Sequence, residues 1–123
     1  MDKFTMFSKT LFKFLESLGY PVYLYNQIPK GAKMPYITID YSSVSIDEST
    51  VISGNIWDKS NNRLLVNEIA DRLDELIGYG AKVKIGEYGN MILRKGSPFI
   101  QPMATDDSTI QNNYFNLELQ LYI

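Results

Sequence analysis

The amino-acid sequence predicts an α+β protein with a mostly antiparallel sheet and two helices packed on one face of it. Two segments repeat apolar residues at three- and four-residue spacing, and several others alternate apolar with polar residues. These segments follow one another in the order α-β-β-β-α-β-β-β, which favours a layer of helices against a sheet. Because 123 residues is the size of one ordinary domain, we expect a single domain over residues 1–123.

The first helix is predicted near the N-terminus, where apolar residues recur at helical spacing and Gly19 is a typical residue to end a helix. These apolar residues are Phe4, Phe7, Leu11, Phe14, Leu15 and Leu18. We interpret the stripe as core packing, because a helix that lies on a membrane surface would carry a more basic polar face. Charged residues between the phenylalanines also argue against a signal peptide or a membrane span, so we expect a cytoplasmic protein without membrane contact.

Three strands are predicted next. Residues 22–25 are a short β-prone run that we place at a sheet edge, and residues 36–41 alternate between apolar and polar side chains. Residues 50–57 are β-prone again, with Ser53, Gly54 and Asn55 predicting a bulge or a close approach of backbone. We expect the second and third strands to pair as a hairpin.

The second helix is predicted to begin with Ser60 as its N-cap and to end at Gly78 and Gly80. Its apolar face consists of Leu65, Val66, Ile69, Ala70, Leu73, Leu76 and Ile77. The opposite face is charged and is interpreted as a solvated surface, with Glu68 and Arg72 at a spacing that supports an ion pair.

The last third of the sequence predicts three strands and one long loop. Residues 81–85 and 91–95 flank a glycine-rich turn and are predicted to form a hairpin. Residues 114–123 alternate strictly and form the clearest strand pattern in the chain. Residues 96–110 are too long for an idle connection, so we expect a loop that serves function or assembly.

One core is expected to join these elements. Its predicted members are Ile37, Ile39, Ile56, Leu65, Ile69, Leu73, Leu117, Leu119 and Leu121, with Phe7, Leu11 and Phe14 packed against them.

Composition argues against most enzyme classes. The chain has no cysteine and no histidine, which removes thiolate nucleophiles, disulfides and the commonest general base and transition-metal ligand. Sequence motifs of serine hydrolases, phosphate-binding loops and dinucleotide-binding folds are also missing. We therefore expect a protein that is not an enzyme and has no catalytic residue, no bound metal and no cofactor.

Two acidic pairs leave an enzyme alternative open. Asp47 with Glu48, and Asp106 with Asp107, could bind a hard cation or act as acid and base, as in a small metal-dependent hydrolase or regulator. Each pair stands alone in a polar segment without the ligand spacing of a known cation loop. We interpret both as solvated acidic loops.

Nucleic-acid binding is a further alternative that the charge disfavours. The net charge is −2, and the nine tyrosines and Trp57 are not interleaved with Lys and Arg as stacking platforms for single strands are. Tyrosines at strand positions are more often found in sheet packing or protein–protein contacts.

Three segments carry a resemblance to a known family. VYLYNQIPKGAKMPYITID joins a short strand, a proline-bearing loop and a Pro-Tyr-Ile-Thr strand start, ISGNIW is a strand that ends in an aromatic residue, and SNNRLLVNEIADRLDELI is a helix. This order, which a C-terminal strand completes, resembles the phage tail-completion proteins, or tail terminators, which are similar in fold to the lambda tail terminator. The matching positions are Pro29, Pro35, Tyr36, Ile37, Thr38 and Trp57.

The resemblance implies a structural virion protein. Such a protein forms a homohexameric ring at the head-proximal end of the tail tube, ends tube polymerisation and joins the tail to the neck. Its implied partners are other copies of itself, the tail tube protein and the neck or head-completion proteins, while DNA only passes through the lumen. The sequence leaves a head-closure or adaptor role open as an alternative, and it does not distinguish contractile from flexible tails.

The two long polar connections are the predicted oligomer or partner interface. Residues 42–49 and 96–110 are rich in hydroxyl and acidic side chains, and we expect them to be mobile in an isolated subunit. The candidate interface residues in them are Ser45, Asp47, Glu48, Phe99, Gln101, Asp106 and Asp107.

Overall fold

A computed structural model describes residues 1–41, 44–46 and 48–123 of the chain. The described residues form two helices and six strands, so the predicted α+β class and the order of elements are confirmed. The elements are α1 (Lys3–Glu16), β1 (Val22–Leu24), β2 (Tyr36–Asp40), β3 (Thr50–Lys59), α2 (Leu64–Ile77), β4 (Ala81–Lys84), β5 (Asn90–Met103) and β6 (Ile110–Tyr122).

The strands form one sheet in the spatial order β1-β2-β3-β6-β5-β4. β1 runs parallel to β2, while the other neighbouring strands are antiparallel. Residues 25–35 carry the chain back to the end of the sheet where β1 starts, so that β2 runs in the same direction as β1. The sheet is therefore mixed, and the prediction of a mostly antiparallel sheet needs this correction.

The sheet is also curled. In a flat six-stranded sheet the two edge strands would lie about 24 Å apart, because neighbouring strands are spaced by about 4.8 Å. Even along its axis α1, with 14 residues, is only about 21 Å long, yet it contacts both edge strands, β1 and β4. The sheet must bend round α1 to allow this, whereas α2 packs against β3, β5 and β6. The prediction of two helices packed on one face of the sheet is corrected accordingly.

α1 begins at Asp2, whose carboxylate accepts a hydrogen bond from the backbone N–H of Thr5 at 2.8 Å. Most of its predicted apolar stripe points into the protein, with Phe7, Leu11, Leu15 and Leu18 buried. Phe4, the first predicted member, is exposed in the first turn of the helix and does not join the core.

α2 begins later than predicted. Ser60 is not its N-cap, because the Ser60 hydroxyl accepts from the backbone N–H of Asn62 within the preceding turn. The Asn62 side chain accepts in turn from the N–H of Leu64, the first helical residue. The helix ends at Gly78, which has a positive φ of 55°. The Glu68–Arg72 ion pair is confirmed at 3.5 Å.

β5 is much longer than predicted, and this corrects the expected loop at residues 96–110. The strand continues to Met103 after an irregularity between Lys95 and Ile100, and β6 already begins at Ile110. Only residues 104–109 connect the two strands. The prolines at 98 and 102, together with Gly96, suggested irregular backbone, but long strands tolerate such residues at bulges.

The core follows the prediction closely. Every predicted member is buried except Leu65 and Phe14, which are half-buried and pack against it. Further buried residues are Ile52, Val66, Ile77, Ile85, Met91, Leu93 and Phe115. The alternation of β6 is confirmed, since Phe115, Leu117, Leu119 and Leu121 are all buried.

Candidate interaction surface

The outer face of the sheet is the side that points away from the core. In β3 the buried residues Ile52, Gly54 and Ile56 alternate with partly or fully exposed ones, and β6 alternates in register with β3. Side chains on the outer face are mainly polar and aromatic. They include Tyr23, Tyr36, Thr38, Asp40, Val51, Ser53, Asn55, Trp57, Tyr114, Asn116, Glu118 and Tyr122.

An aromatic patch occupies one end of this face. Tyr36 lies opposite Trp57 in the β2–β3 register, and the rings of Tyr23 and Tyr36 meet edge to face with centroids 5.7 Å apart. The indole Nε1 of Trp57 donates a 3.1 Å hydrogen bond to the hydroxyl of Thr38, which is buried. This hydrogen bond satisfies both polar groups and fixes the ring of Trp57 against β2.

Beside the aromatic patch is a shallow depression of about 210 Å³. Its floor is the backbone at Gly54, where a methyl group would overlap a ring carbon of Phe115 and lie 2.7 Å from the carbonyl oxygen of Thr38. The prediction of a close backbone approach is thus confirmed, and β3 keeps its register here without a bulge. Tyr25, Asp40, Ser53, Asn55 and Tyr114 also line the depression.

The family-motif positions separate into three groups. Tyr36, Thr38 and Trp57 come together in the aromatic patch, as described above. Ile37 is buried in the core, and Pro35 immediately precedes β2. Pro29 lies in the exposed connection between β1 and β2, where its carbonyl oxygen accepts from the N–H of Ala32 at 3.1 Å.

The predicted interface residues before β3 are only partly described. Ser45 is half-buried, and its backbone N–H lies 3.5 Å from the hydroxyl of Thr50, while Glu48 is exposed. Asp47 lies outside the described residues.

The other predicted interface residues divide between a strand and a turn. Phe99 and Gln101 belong to β5 and are not in a loop; Phe99 packs against the core and carries the Lys95 ammonium 5.5 Å from its ring centroid. Gln101 is exposed. Asp106 and Asp107 lie in the turn that ends the β5–β6 hairpin, and both are exposed.

This hairpin tip (residues 104–109) is held by its own side chains. The carboxylate of Asp107 accepts from the backbone N–H of Thr109 at 2.8 Å and from its hydroxyl at 2.7 Å. These two hydrogen bonds lower the pKa of Asp107 below its ordinary value of 3.8, and the bond from the hydroxyl has the larger effect. Thr105 donates across the turn to the carbonyl oxygen of Ile110 at 2.8 Å. The tip is therefore a hydrogen-bonded turn, shorter than the loop expected over residues 96–110, and its mobility in an isolated subunit stays a prediction.

Within residues 1–41, 44–46 and 48–123, no three acidic residues come close enough together to hold a metal ion. In the same ranges, neither helix combines the length and the apolar composition that crossing a membrane requires.

Comparison with known proteins gives a likeness in fold. No protein-family model and no curated protein matches this chain. A solved structure resembles it with a TM-score of 0.59, over 97% of this chain and 94% of the other, at 17% sequence identity. A likeness at this identity shows the fold alone, so membership of the tail-terminator family stays a prediction.

Sequence reasoning missed a group of buried polar residues that join α2 to the sheet. The side chain of Asn113 donates to the carbonyl oxygen of Val66 at 3.0 Å and accepts from the guanidinium of Arg63. Its neighbour Asn112 donates to the carbonyl oxygen of Ile56 at 3.2 Å. Both asparagines lie between the predicted loop, which ended at residue 110, and the predicted strand, which began at residue 114, so no pattern marked them.

Proposed function

We propose that this protein is a structural subunit of a phage virion. Six copies form a ring at the head-proximal end of the tail tube, where the ring ends tube polymerisation and joins the tail to the neck. The partners are other copies of the chain, the tail tube protein and the neck proteins. This function depends on contacts between protein surfaces and requires no catalytic group and no cofactor.

The observation that carries the proposal is the contact between two of the segments on which the family resemblance rests. Residues 35–38 and residues 52–57 are separated in sequence, yet Tyr36 lies directly opposite Trp57 and the Trp57 indole binds the Thr38 hydroxyl. Together with Tyr23 they form the aromatic patch on the outer face of the sheet. Aromatic residues with a polar group are enriched in protein–protein interfaces, so this patch suits a subunit contact.

Two further features support a tail-end ring. The described strands leave β1 and β4 as unpaired sheet edges, which neighbouring subunits can contact. The net charge of −2 suits a conduit for DNA, because like charge disfavours adsorption of the phosphate backbone to the wall.

Electron microscopy of phage particles made with and without the protein tests the proposal. Without it we expect full heads, unjoined tails, and tubes that are overlong or lack a defined head-proximal end. Supplying the wild-type chain in trans is the control and should restore joined particles. Tails of normal length that join heads normally would contradict the proposal.

The same experiment separates the head-closure or adaptor alternative. If tail length is normal in the absence of the protein but heads and tails fail to join, the protein acts at the neck and not on the tube. Mass measurement of the purified chain, alone and with tail tubes, then shows whether a ring of 14.1 kDa subunits exists before it meets the tube.

A further inference from the structure

The exposed faces of the two helices carry opposite charge. On α1, Lys9 and Lys13 are exposed beside the half-buried Phe12. On α2, Asp71 and Glu75 are exposed, and the fully exposed Tyr79 lies just beyond the end of the helix at Gly78. We name the first set the basic stripe and the second the acidic stripe.

Neither stripe is neutralised within the subunit. The ion pairs among the described residues join Arg72 to Glu68 and Lys95 to Asp74. The charged members of both stripes, Lys9, Lys13, Asp71 and Glu75, take part in neither pair. Each stripe therefore presents charge that a complementary surface could satisfy.

The two stripes also match in spacing and shape. Lys9 and Lys13 are separated by four residues, as are Asp71 and Glu75, which corresponds to about 6 Å along each helix. The basic stripe contains a shallow groove of about 380 Å³, lined by Ser8, Lys9, Phe12, Lys13 and Glu16. An exposed aromatic ring such as that of Tyr79 is the kind of side chain that anchors an interface by filling a groove on the partner.

We propose that the basic stripe on α1 of one copy binds the acidic stripe on α2 of a second copy. Lysines then face carboxylates, and the Tyr79 ring enters the groove beside Phe12. Because the two stripes are different surfaces of the same chain, the contact is head to tail and continues from copy to copy until a ring closes. The inference rests on the proposed ring and names the subunit contact within it.

Charge reversal in three variants tests this contact. The first variant is Lys9→Glu with Lys13→Glu, and the second is Asp71→Lys with Glu75→Lys. Each places like charges on the two stripes and should weaken self-association at least about tenfold. A third variant that combines all four substitutions restores opposite charges and should recover most of the loss. Sedimentation velocity at low and high salt measures each association, and thermal unfolding by circular dichroism checks that each variant is folded.

Lys30→Glu with Lys33→Glu is the matched control. It changes the net charge of the chain by the same amount as the α1 variant, on exposed residues of the connection between β1 and β2. Its self-association should stay within about twofold of wild type. The wild-type association should also weaken as salt is raised, because exposed charges are screened.

Three outcomes overturn the inference: a wild-type chain that stays monomeric at low salt, a reversed α1 or α2 that associates like wild type, or a combined variant that recovers nothing while remaining folded. If rings form despite charge reversal, the proposed contact between the stripes is wrong, but the proposed function at the tail end is not contradicted. Conversely, rings that depend on both stripes but leave tail length and head joining unchanged in particles would contradict the function and not the contact.

Discussion

Gly54 lies where β3 passes closest to its neighbours. A methyl group at this position would overlap the buried ring of Phe115 and the carbonyl oxygen of Thr38. The position explains why a residue that usually weakens a strand interrupts the β-prone run from Thr50.

We expect Gly54→Ala to destabilise the protein by about 1–3 kcal/mol, because the core and the backbone must shift to accept the added atom. Urea unfolding followed by circular dichroism measures the change in the free energy of unfolding. Adding Phe115→Leu should return part of that loss, since it removes the ring atoms that meet the new methyl group, although the Thr38 carbonyl stays in place. A Gly54→Ala variant as stable as wild type would mean that the strands are spaced more widely than described.

Asp2 makes the N-terminus of α1 sensitive to pH. The pKa of its carboxyl lies below the ordinary value of 3.8, chiefly because the carboxylate accepts from the backbone N–H of Thr5. A lowered pKa in the folded state means that ionised Asp2 stabilises the protein above pH 3.8, and that this contribution is lost as the pH falls through the folded-state pKa.

We therefore expect Asp2→Ala to lower the urea midpoint at pH 6 and to have little effect once the pH is well below 3.8. Asp2→Asn is the control, because it keeps an N-cap acceptor but does not titrate. Equal differences between wild type and Asp2→Ala at both pH values would contradict the capping role.

At the scale of elements, α2 is tied to the sheet by polar contacts as well as by its apolar face. Asn113 of β6 connects to the first turn of α2 through Val66 and Asn67, and to the residue before it through Arg63. The side chain is buried, so its amide depends on these partners.

We expect Asn113→Ala to lower the free energy of unfolding by about 1–3 kcal/mol. The carbonyl of Val66 and the guanidinium of Arg63 would each lose a hydrogen-bond partner at a site that is partly shielded from water. Chemical unfolding measures the cost, and hydrogen exchange should show faster opening at the start of α2. Asn61→Ala, at an exposed position in the turn before the helix, is the control and should change the stability by less than about 0.5 kcal/mol. If the amides at the start of α2 exchange at the same rate in Asn113→Ala and in Asn61→Ala, Asn113 does not hold the start of the helix.

At the scale of the whole molecule, the hairpin tip is the part of β5 and β6 that projects beyond the neighbouring strands. β3 pairs with β6 only as far as Ile110, so residues 104–109 extend past Lys59, the last residue of β3. An open surface depression of about 350 Å³ adjoins the tip and is lined in part by Arg63 and Met103.

Replacing the tip by a two-residue turn should leave the core and the thermal stability nearly unchanged, since the closure free energy varies slowly with loop length. If the tip contacts a neighbouring subunit or the tube, the same variant should lose ring formation or tail capping. Sedimentation velocity and electron microscopy of capped tails measure this. If a shortened variant still caps tails at the protein concentration that wild type requires, the tip is not part of the proposed interface.

The sequence alone determined the features that depend on neighbouring residues. The apolar face of each helix and the buried side of β6 follow from spacings of two to four residues, which local backbone geometry converts directly into a face. The members of the core were predictable for the same reason, and Leu65 and Phe14 fell short of full burial because they lie at the margin of their helical stripes.

Only the tertiary structure decided how these faces meet. The parallel direction of β1, the continuation of β5 through Gly96 and Pro98, and the curl of the sheet round α1 depend on hydrogen bonds and contacts between residues far apart in sequence. The candidate surface divides in the same way: the residues at 36, 38 and 57 were marked by their pattern, but their meeting in one patch required the β2–β3 register. Local periodicity specifies which side of an element is buried. Register, strand direction and curvature are set by hydrogen bonding and packing between segments that are distant in sequence.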